Sequence, residues 1–284
     1  MQWKLSEEQG IYQETIRDWL AAVAPVDTLR RWLDAGDASV FEARFAADGW
    51  AGVGVPEDLG GQGGGLVELA LTAEELARVA APSAAWLATA LIIPAMVGRR
   101  GLVEEALAGQ TVALLTPAEA IPDSAAPLAV ESDGTVTGTV RRVLAADTAR
   151  RFVVPVGQGP ERVLRLVEAD AAGVGITRRV LLDRSRSVGD VVLDGVRSRR
   201  LDVDAGAALR EVGARAAVLV AADTLGASVR MLDMAVDYSK QRHQFGRPIG
   251  SFQAVKHAAA TILVGIEAAR SAVYFAAASV DGHD

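Results

Sequence analysis

Tyr238-Ser-Lys-Gln-Arg-His-Gln-Phe-Gly-Arg-Pro-Ile-Gly-Ser-Phe-Gln-Ala-Val-Lys-His257 is the stretch from which the rest of the chain can be read. Gly246, Pro248 and Gly250 mark a turn over residues 242–250 between two helical patterns. A turn needs glycine and proline, but it does not need Arg242, Phe245 and Gln253 gathered at the same place. An arginine so placed can pair with phosphate through two parallel N–H groups. A phenylalanine beside it can pack against a planar ring. The two together suit the diphosphate and flat ring of an adenine dinucleotide.

Outward from the turn, one long helix is expected from about Ala207 to Gln241 and a second from about Ser251 to Ser279. Upstream, residues 110–204 change character. Thr111–Leu115, Leu128–Glu131, Thr135–Val143, Arg151–Val156, Arg162–Val167, Gly175–Leu182 and Ser187–Leu193 are short, valine- and leucine-rich, and punctuated by Gly, Pro and Asp. Strands without intervening helices predict an antiparallel β-domain. Residues 1–109 read as helices again. Ser6 and Gln9 form a capping box, followed by Ile11, Ile16, Trp19, Leu20 and Val23 at helical spacing. Pro25 and Val26 end that helix, and a second is expected from about Thr28 to Asp48. A glycine-rich loop over residues 50–65 precedes helices at about Leu66–Ala80, after Pro82, and up to Gly109. The chain is therefore α+β in the order 1–109 helical, 110–204 β, 205–284 helical, and not a Rossmann chain.

Composition narrows the chemistry. The chain lacks cysteine, so disulfides, thiolate metal sites and cysteine nucleophiles are excluded. His243, His257 and His283 have no metal-ligand spacing, so no metal site is expected. A net charge of -7 argues against nucleic acid as a partner. No apolar run follows Met1–Ser6 as in a signal peptide, and the apolar run at Ala84–Val97, broken by Thr89 and Pro94, is too short to span a bilayer. A cytoplasmic protein without membrane contact is expected. The glycines at 60–65 lack the Gly-Lys-Ser/Thr of a phosphate loop and read as structural. Glu74-Glu75 lies on a helix, where one of the two is expected to face solvent.

The quoted stretch, in the pattern Tyr-x3-Arg-x2-Phe-Gly-x-Pro-Ile-x2-Phe-Gln, resembles the signature of the acyl-CoA dehydrogenases. The resemblance covers essentially the whole chain. Gly52-Val-Gly-Val-Pro-Glu-Asp-Leu-Gly-Gly-Gln-Gly63 and Glu74-Glu75-Leu76 are similar to the family's N-terminal helical domain. Leu182-Asp-Arg-Ser-Arg and Val192-Leu-Asp-Gly-Val196 are similar to the end of its β-domain. The resemblance implies an N-terminal helical domain, a middle β-domain and a C-terminal helical bundle. It implies FAD-dependent α,β-dehydrogenation of an acyl-CoA, in which a glutamate takes the α-proton and flavin N5 the β-hydride. It implies FAD shared across a subunit interface. The neighbour's β-domain would hold the flavin, and this turn, through Arg242, Phe245, Ile249 and Gln253, the adenosine diphosphate; Thr116 is the matching contact on the β-domain. The implied partners are an acyl-CoA, an acyl-CoA dehydrogenase-like subunit in a homo- or hetero-oligomer (dimer or tetramer), and an electron-transfer flavoprotein.

The sequence also departs from the family. The flavin-touching strand, usually Thr-Glu-Pro followed by Gly-Ser-Asp, reads Leu115-Thr-Pro-Ala-Glu-Ala-Ile-Pro-Asp-Ser124. The segment whose tryptophan stacks on flavin corresponds to Arg142-Val-Leu-Ala-Ala-Asp-Thr148, without the tryptophan. One family position of the catalytic glutamate falls at Ala216, beside Arg215; family positions that meet CoA fall at Ala214 and Ala217. The other position lies past Asp284, so two bundle helices are expected and no catalytic residue is assigned. Two explanations stand side by side: a degenerate subunit whose unlike partner carries flavin platform and base, as in steroid-degrading actinobacterial heterotetramers, or a truncated chain. A non-catalytic interaction subunit that keeps the fold is the alternative. Trp86 lies on the helix with which the family closes its acyl pocket, and is equally read as core.

Overall fold

The computed structural model describes residues 5–96, 98–120 and 128–282. In chain order the helices are α1 (Glu7–Val23), α2 (Val26–Ala35), α3 (Ser39–Ala47), α4 (Leu66–Arg78), α5 (Ala84–Met96) and α6 (Arg100–Leu107). The strands β1 (Thr111–Leu114), β2 (Ala129–Val130), β3 (Thr135–Leu144), β4 (Ala149–Val156), β5 (Val163–Glu168), β6 (Val174–Arg179), β7 (Val188–Arg197) and β8 (Arg199–Arg200) follow. Then come α7 (Ala205–Gln241), a hairpin of β9 (His243–Gln244) and β10 (Arg247–Pro248), and α8 (Gln253–Val280). The helical, β, helical order is the one expected.

The chain divides into two compact units. The first comprises Met1–Val26, Leu66–Ala81 and Ala217–Asp284. Its centre is α4, which packs against both α1 and α8 and buries Leu66, Leu69 and Leu76 completely. The Asp281 carboxylate accepts the Leu66 N–H at 2.6 Å and so occupies the N-terminus of α4. Gly226 lets α7 approach α4: a Cβ there would stand 2.0 Å from the Glu74 carbonyl oxygen. Ser6 and Gln9 cap α1 reciprocally, as their spacing predicts.

The second unit comprises Asp27–Gly65 and Pro82–Ala216. Its strands form two sheets, ordered β1-β4-β5-β8 and β2-β3-β7-β6. Their facing sides meet in one core through Leu115, Val136, Val140, Phe152, Val154 and Val191. On the other side of the first sheet, Val153 and Leu164 pack against Ile92 and Met96 of α5, Val103 of α6 and Leu209 of α7. Alternate residues of β4 therefore serve two cores.

Several expectations need correction. The pairing is antiparallel except that β1 runs parallel to β4, because the chain crosses to the other sheet through β2 and β3 before returning. The single helix expected over Thr28–Asp48 is two, α2 and α3. Gly36, at φ 65°, ends the first, and Asp37 accepts the Ser39 N–H at the start of the second. Neither Glu74 nor Glu75 faces solvent: they are 3% and 1% exposed. Flanked by α1 and α8, α4 has no free face near its end, and each carboxylate meets cations of its neighbours.

The helices α7 and α8 are long and apolar enough, by length and composition, to cross a membrane. Arg215, Asp223 and Arg230 interrupt α7, however, and Lys256, Glu267 and Arg270 interrupt α8. That spacing suits bundle helices, because a span needs a long uncharged run.

Candidate functional site

Beyond α7, the chain turns through Phe245 and Gly246 between β9 and β10, with Gln244 opposite Arg247 and His243 opposite Pro248. Both loop residues have positive φ, 53° and 77°, as a type I′ turn requires. Glycine takes this conformation freely; phenylalanine does so at a cost of order 1 kcal/mol. The strained ring is also 91% exposed. Its inner edge meets Phe252 at 6.0 Å between centroids, nearly perpendicular, and the Arg247 guanidinium lies 4.2 Å over Phe252. The Ile249 N–H donates to the Arg242 carbonyl at 2.8 Å. Gly250 allows a close approach to the end of α7: a Cβ would sit 2.8 Å from Ser239 Oγ and 3.0 Å from the Ser239 carbonyl oxygen.

Arg242 itself is exposed, and its guanidinium takes no hydrogen bond or ion pair among the described residues. It therefore does not cap the last carbonyls of its own helix. Gln253, also exposed, is the first residue of α8, and no side chain caps that helix at Phe252. An open helix N-terminus favours an anion. The structure thus gathers Arg242, Phe245, Ile249 and Gln253 at one hairpin: a cation without a partner among the described residues, an exposed ring and the uncapped start of α8. Such a set can hold a phosphate-bearing, flat-ringed ligand.

Thr116 belongs to the second unit. It is buried just past β1, with its N–H on the Leu114 carbonyl at 2.9 Å, and Pro117 bridges to Val143. Across from it, Arg142 sits at φ 53° in the irregular stretch of β3 between Val140 and Val143. Its side chain is ion-paired with Glu119 and its N–H donates to Asp190 at 3.0 Å. Arg179 is the other partner of Asp190; its hydrogen bond first, then that from Arg142, holds the carboxyl below its usual range. The sheet edge is thus tied by charges instead of walled by an aromatic ring. The latter part of the Leu115–Ser124 stretch, residues 121–124, lies outside the described residues, as does His283.

A proton-abstracting carboxylate is not found at Ala216; the nearest acid along α7 is Glu211, 3.4 Å from Arg215 and half exposed. Glu74 accepts from Arg270 and, at 2.6 Å, from Tyr274. Glu75 accepts from Gln13 at 2.9 Å and Arg17 at 2.6 Å. Burial, then the charge of Glu74, pushes the Tyr274 phenol above its ordinary range. These carboxylates are committed inside the fold. Among the described residues no cluster of His, Cys, Asp and Glu could hold a metal. Sequence reasoning missed Phe252 and Arg247, which prop the exposed ring, although both stand in the quoted stretch. It also missed the Arg142–Glu119 pair, whose members are 23 residues apart.

The family models described as acyl-CoA dehydrogenase, N-terminal domain, and acyl-CoA dehydrogenase, C-terminal domain, match residues 6–104 and 211–284. The chain is 32% identical over 274 residues to the acyl-CoA dehydrogenase IpdE2 of Mycobacterium tuberculosis, covering 94% of this chain and 74% of that protein. A variant of the Tcur3481–Tcur3483 steroid ACAD superposes with a TM-score of 0.85 at 30% identity, covering 97% of this chain and 79% of that one. The ChsE4–ChsE5 complex of Mycobacterium tuberculosis shares the fold, with a TM-score of 0.81 at 23% identity over 99% of this chain and 80% of that one.

Proposed function

The chain belongs to the acyl-CoA dehydrogenase family, and from that premise we propose that it is one subunit of an FAD-dependent enzyme whose unlike partner carries the flavin ring and the base. FAD is the family's cofactor. The residues of this chain fit one half of it and not the other. The hairpin offers Arg242 to the pyrophosphate and Phe245 to the adenosine, with the open start of α8 adding N–H donors. The edge near Thr116 does not fit a flavin, because the Arg142–Glu119 pair stands where the ring's aromatic wall is expected. That contrast carries the proposal.

Bound FAD would supply the hydride acceptor. This chain's share is to hold the dinucleotide: a forked, charge-assisted pair from Arg242, a planar contact from Phe245, and no proton transfer. The substrate class is an acyl-CoA. The likeness to the steroid ACAD, which carries the names of two proteins, supports a steroid-derived acyl group and a heteromer. An electron-transfer flavoprotein is the matching electron acceptor. The second reading, a non-catalytic interaction subunit, draws on the same Arg142–Glu119 pair, but leaves the strained, exposed Phe245 without a purpose.

The test is to purify the chain alone and together with a complementary acyl-CoA dehydrogenase-like subunit, then measure FAD per chain. Little FAD on the single chain and a yellow complex is expected. Stoichiometric FAD on the single chain, or a colourless, inactive complex, contradicts the proposal.

A further inference from the structure

The turn of the hairpin fixes where the Cβ of Phe245 points, through φ values of 53° there and 77° at Gly246. It does not fix the side-chain torsions. An exposed ring with free rotamers must be ordered when a ligand arrives, and that ordering weakens binding. Here the Phe245 ring is ordered by a column of two further side chains. Phe252 meets it nearly perpendicular, at 6.0 Å between centroids, an arrangement that aromatic quadrupoles favour. Phe252 in turn carries the Arg247 guanidinium over its ring, 4.2 Å from the centroid.

The backbone brings the three together. Arg247 stands opposite Gln244 in the hairpin. Pro248 and the single turn of Ile249–Ser251 then return the chain, with the Phe252 N–H on the Ile249 carbonyl at 3.1 Å, so that Phe252 lies beneath Arg247. Phe252 is partly buried at the start of α8, whereas Arg247 is exposed. No carboxylate pairs with Arg247 among the described residues, so the ring is its partner. Arg242 lacks even that, which sets the two arginines apart: one is open to a ligand and the other is committed to a ring.

We propose that Arg247 is a positioning residue: through Phe252 it holds the Phe245 ring in place for the adenosine half of the dinucleotide, without touching that ligand itself. The ligand in this assignment rests on the FAD reading; the column of side chains does not.

Two measurements separate the column from its ligand. The first needs no FAD. The six phenylalanines of the full chain are labelled with carbon-13 in their rings, and Phe245→Asn identifies the signals of Phe245. Arg247→Met keeps the length of the side chain and removes its charge. It should move the Phe245 signals towards those of a solvated phenylalanine, with Tm unchanged. The second is a double-mutant cycle on FAD affinity in the complex with the complementary subunit. Arg247→Met should weaken FAD about two- to fivefold, the size of an exposed cation–π contact. Arg247→Lys should restore most of that, and in the Phe245→Asn background Arg247→Met should weaken FAD no further. Unmoved Phe245 signals in Arg247→Met overturn the column. Equal losses with and without Phe245 overturn the positioning role and make Arg247 a direct phosphate contact. Signals that move while neither Arg247→Met nor Phe245→Asn alters FAD affinity overturn the FAD reading, and with it the ligand assigned to the ring.

Discussion

Two regions of the first unit treat their polar groups in opposite ways. On α4, Glu74 and Glu75 are buried, and each carboxylate oxygen has a partner within the chain, from Arg270 and Tyr274 on one side and Gln13 and Arg17 on the other. At the hairpin beyond α7, Arg242 and Phe245 are exposed; the cation has no partner among the described residues, and the phenylalanine is held in a backbone conformation it disfavours. A buried charge must be answered inside the fold, since leaving it alone is costly. An exposed ring on a strained backbone, with one edge contact to Phe252, contributes little to that fold. The first region builds the bundle and the second is available to something outside the chain, so substitutions should separate stability from FAD binding.

The largest effect is expected at Arg270. Arg270→Ala leaves Glu74 buried without its cation and should destabilise the chain by about 3–5 kcal/mol, read from denaturant unfolding. FAD per folded chain in the complex should not change. A loss under about 1 kcal/mol would mean that Glu74 is not held as described. Gly226→Ala comes next. Its Cβ would meet the backbone oxygen of Glu74, so α7 and α4 must part, at a cost of about 1–3 kcal/mol in the same measurement. The smallest change in stability belongs to Phe245→Asn. Asparagine tolerates positive φ, so stability should hold or rise by about 1 kcal/mol at most. FAD retention by the complex should fall. A drop in Tm with full flavin would reverse the comparison drawn between the two regions.

The hairpin was legible because its signals are local: Gly246, Pro248 and Gly250 in the turn, and a helix pattern on either side. The capping box at Ser6 was legible for the same reason. The burial of both Glu74 and Glu75 was not. Adjacent helix positions point about 100° apart, and one must face water unless the helix is covered on several sides. Their partners, Arg17 and Arg270, lie 58 and 196 residues away. The parallel pairing of β1 with β4 was hidden likewise, since strand patterns do not encode which strand is the neighbour. The break between α2 and α3 was readable in Gly36-Asp37, a helix stop followed by a capping acid, but the apolar spacing ran across it. Of the site, the cationic half stood in one short motif, whereas the charged closure of the sheet edge needed Glu119 and Arg142 brought together in space.

The central claim is that Arg242 reaches a pyrophosphate held chiefly by another subunit. It is tested most directly by titrating FAD into the complex carrying Arg242→Ala, with a melting curve of the same apo sample. A charge-assisted, forked pair contributes about 1.5–3 kcal/mol, so FAD should bind roughly ten- to hundredfold more weakly, with Tm unchanged. Arg242→Lys should recover part of the loss, because a point charge replaces the fork. A lowered Tm with unaltered FAD affinity would contradict the account and make Arg242 a structural residue of its own helix end.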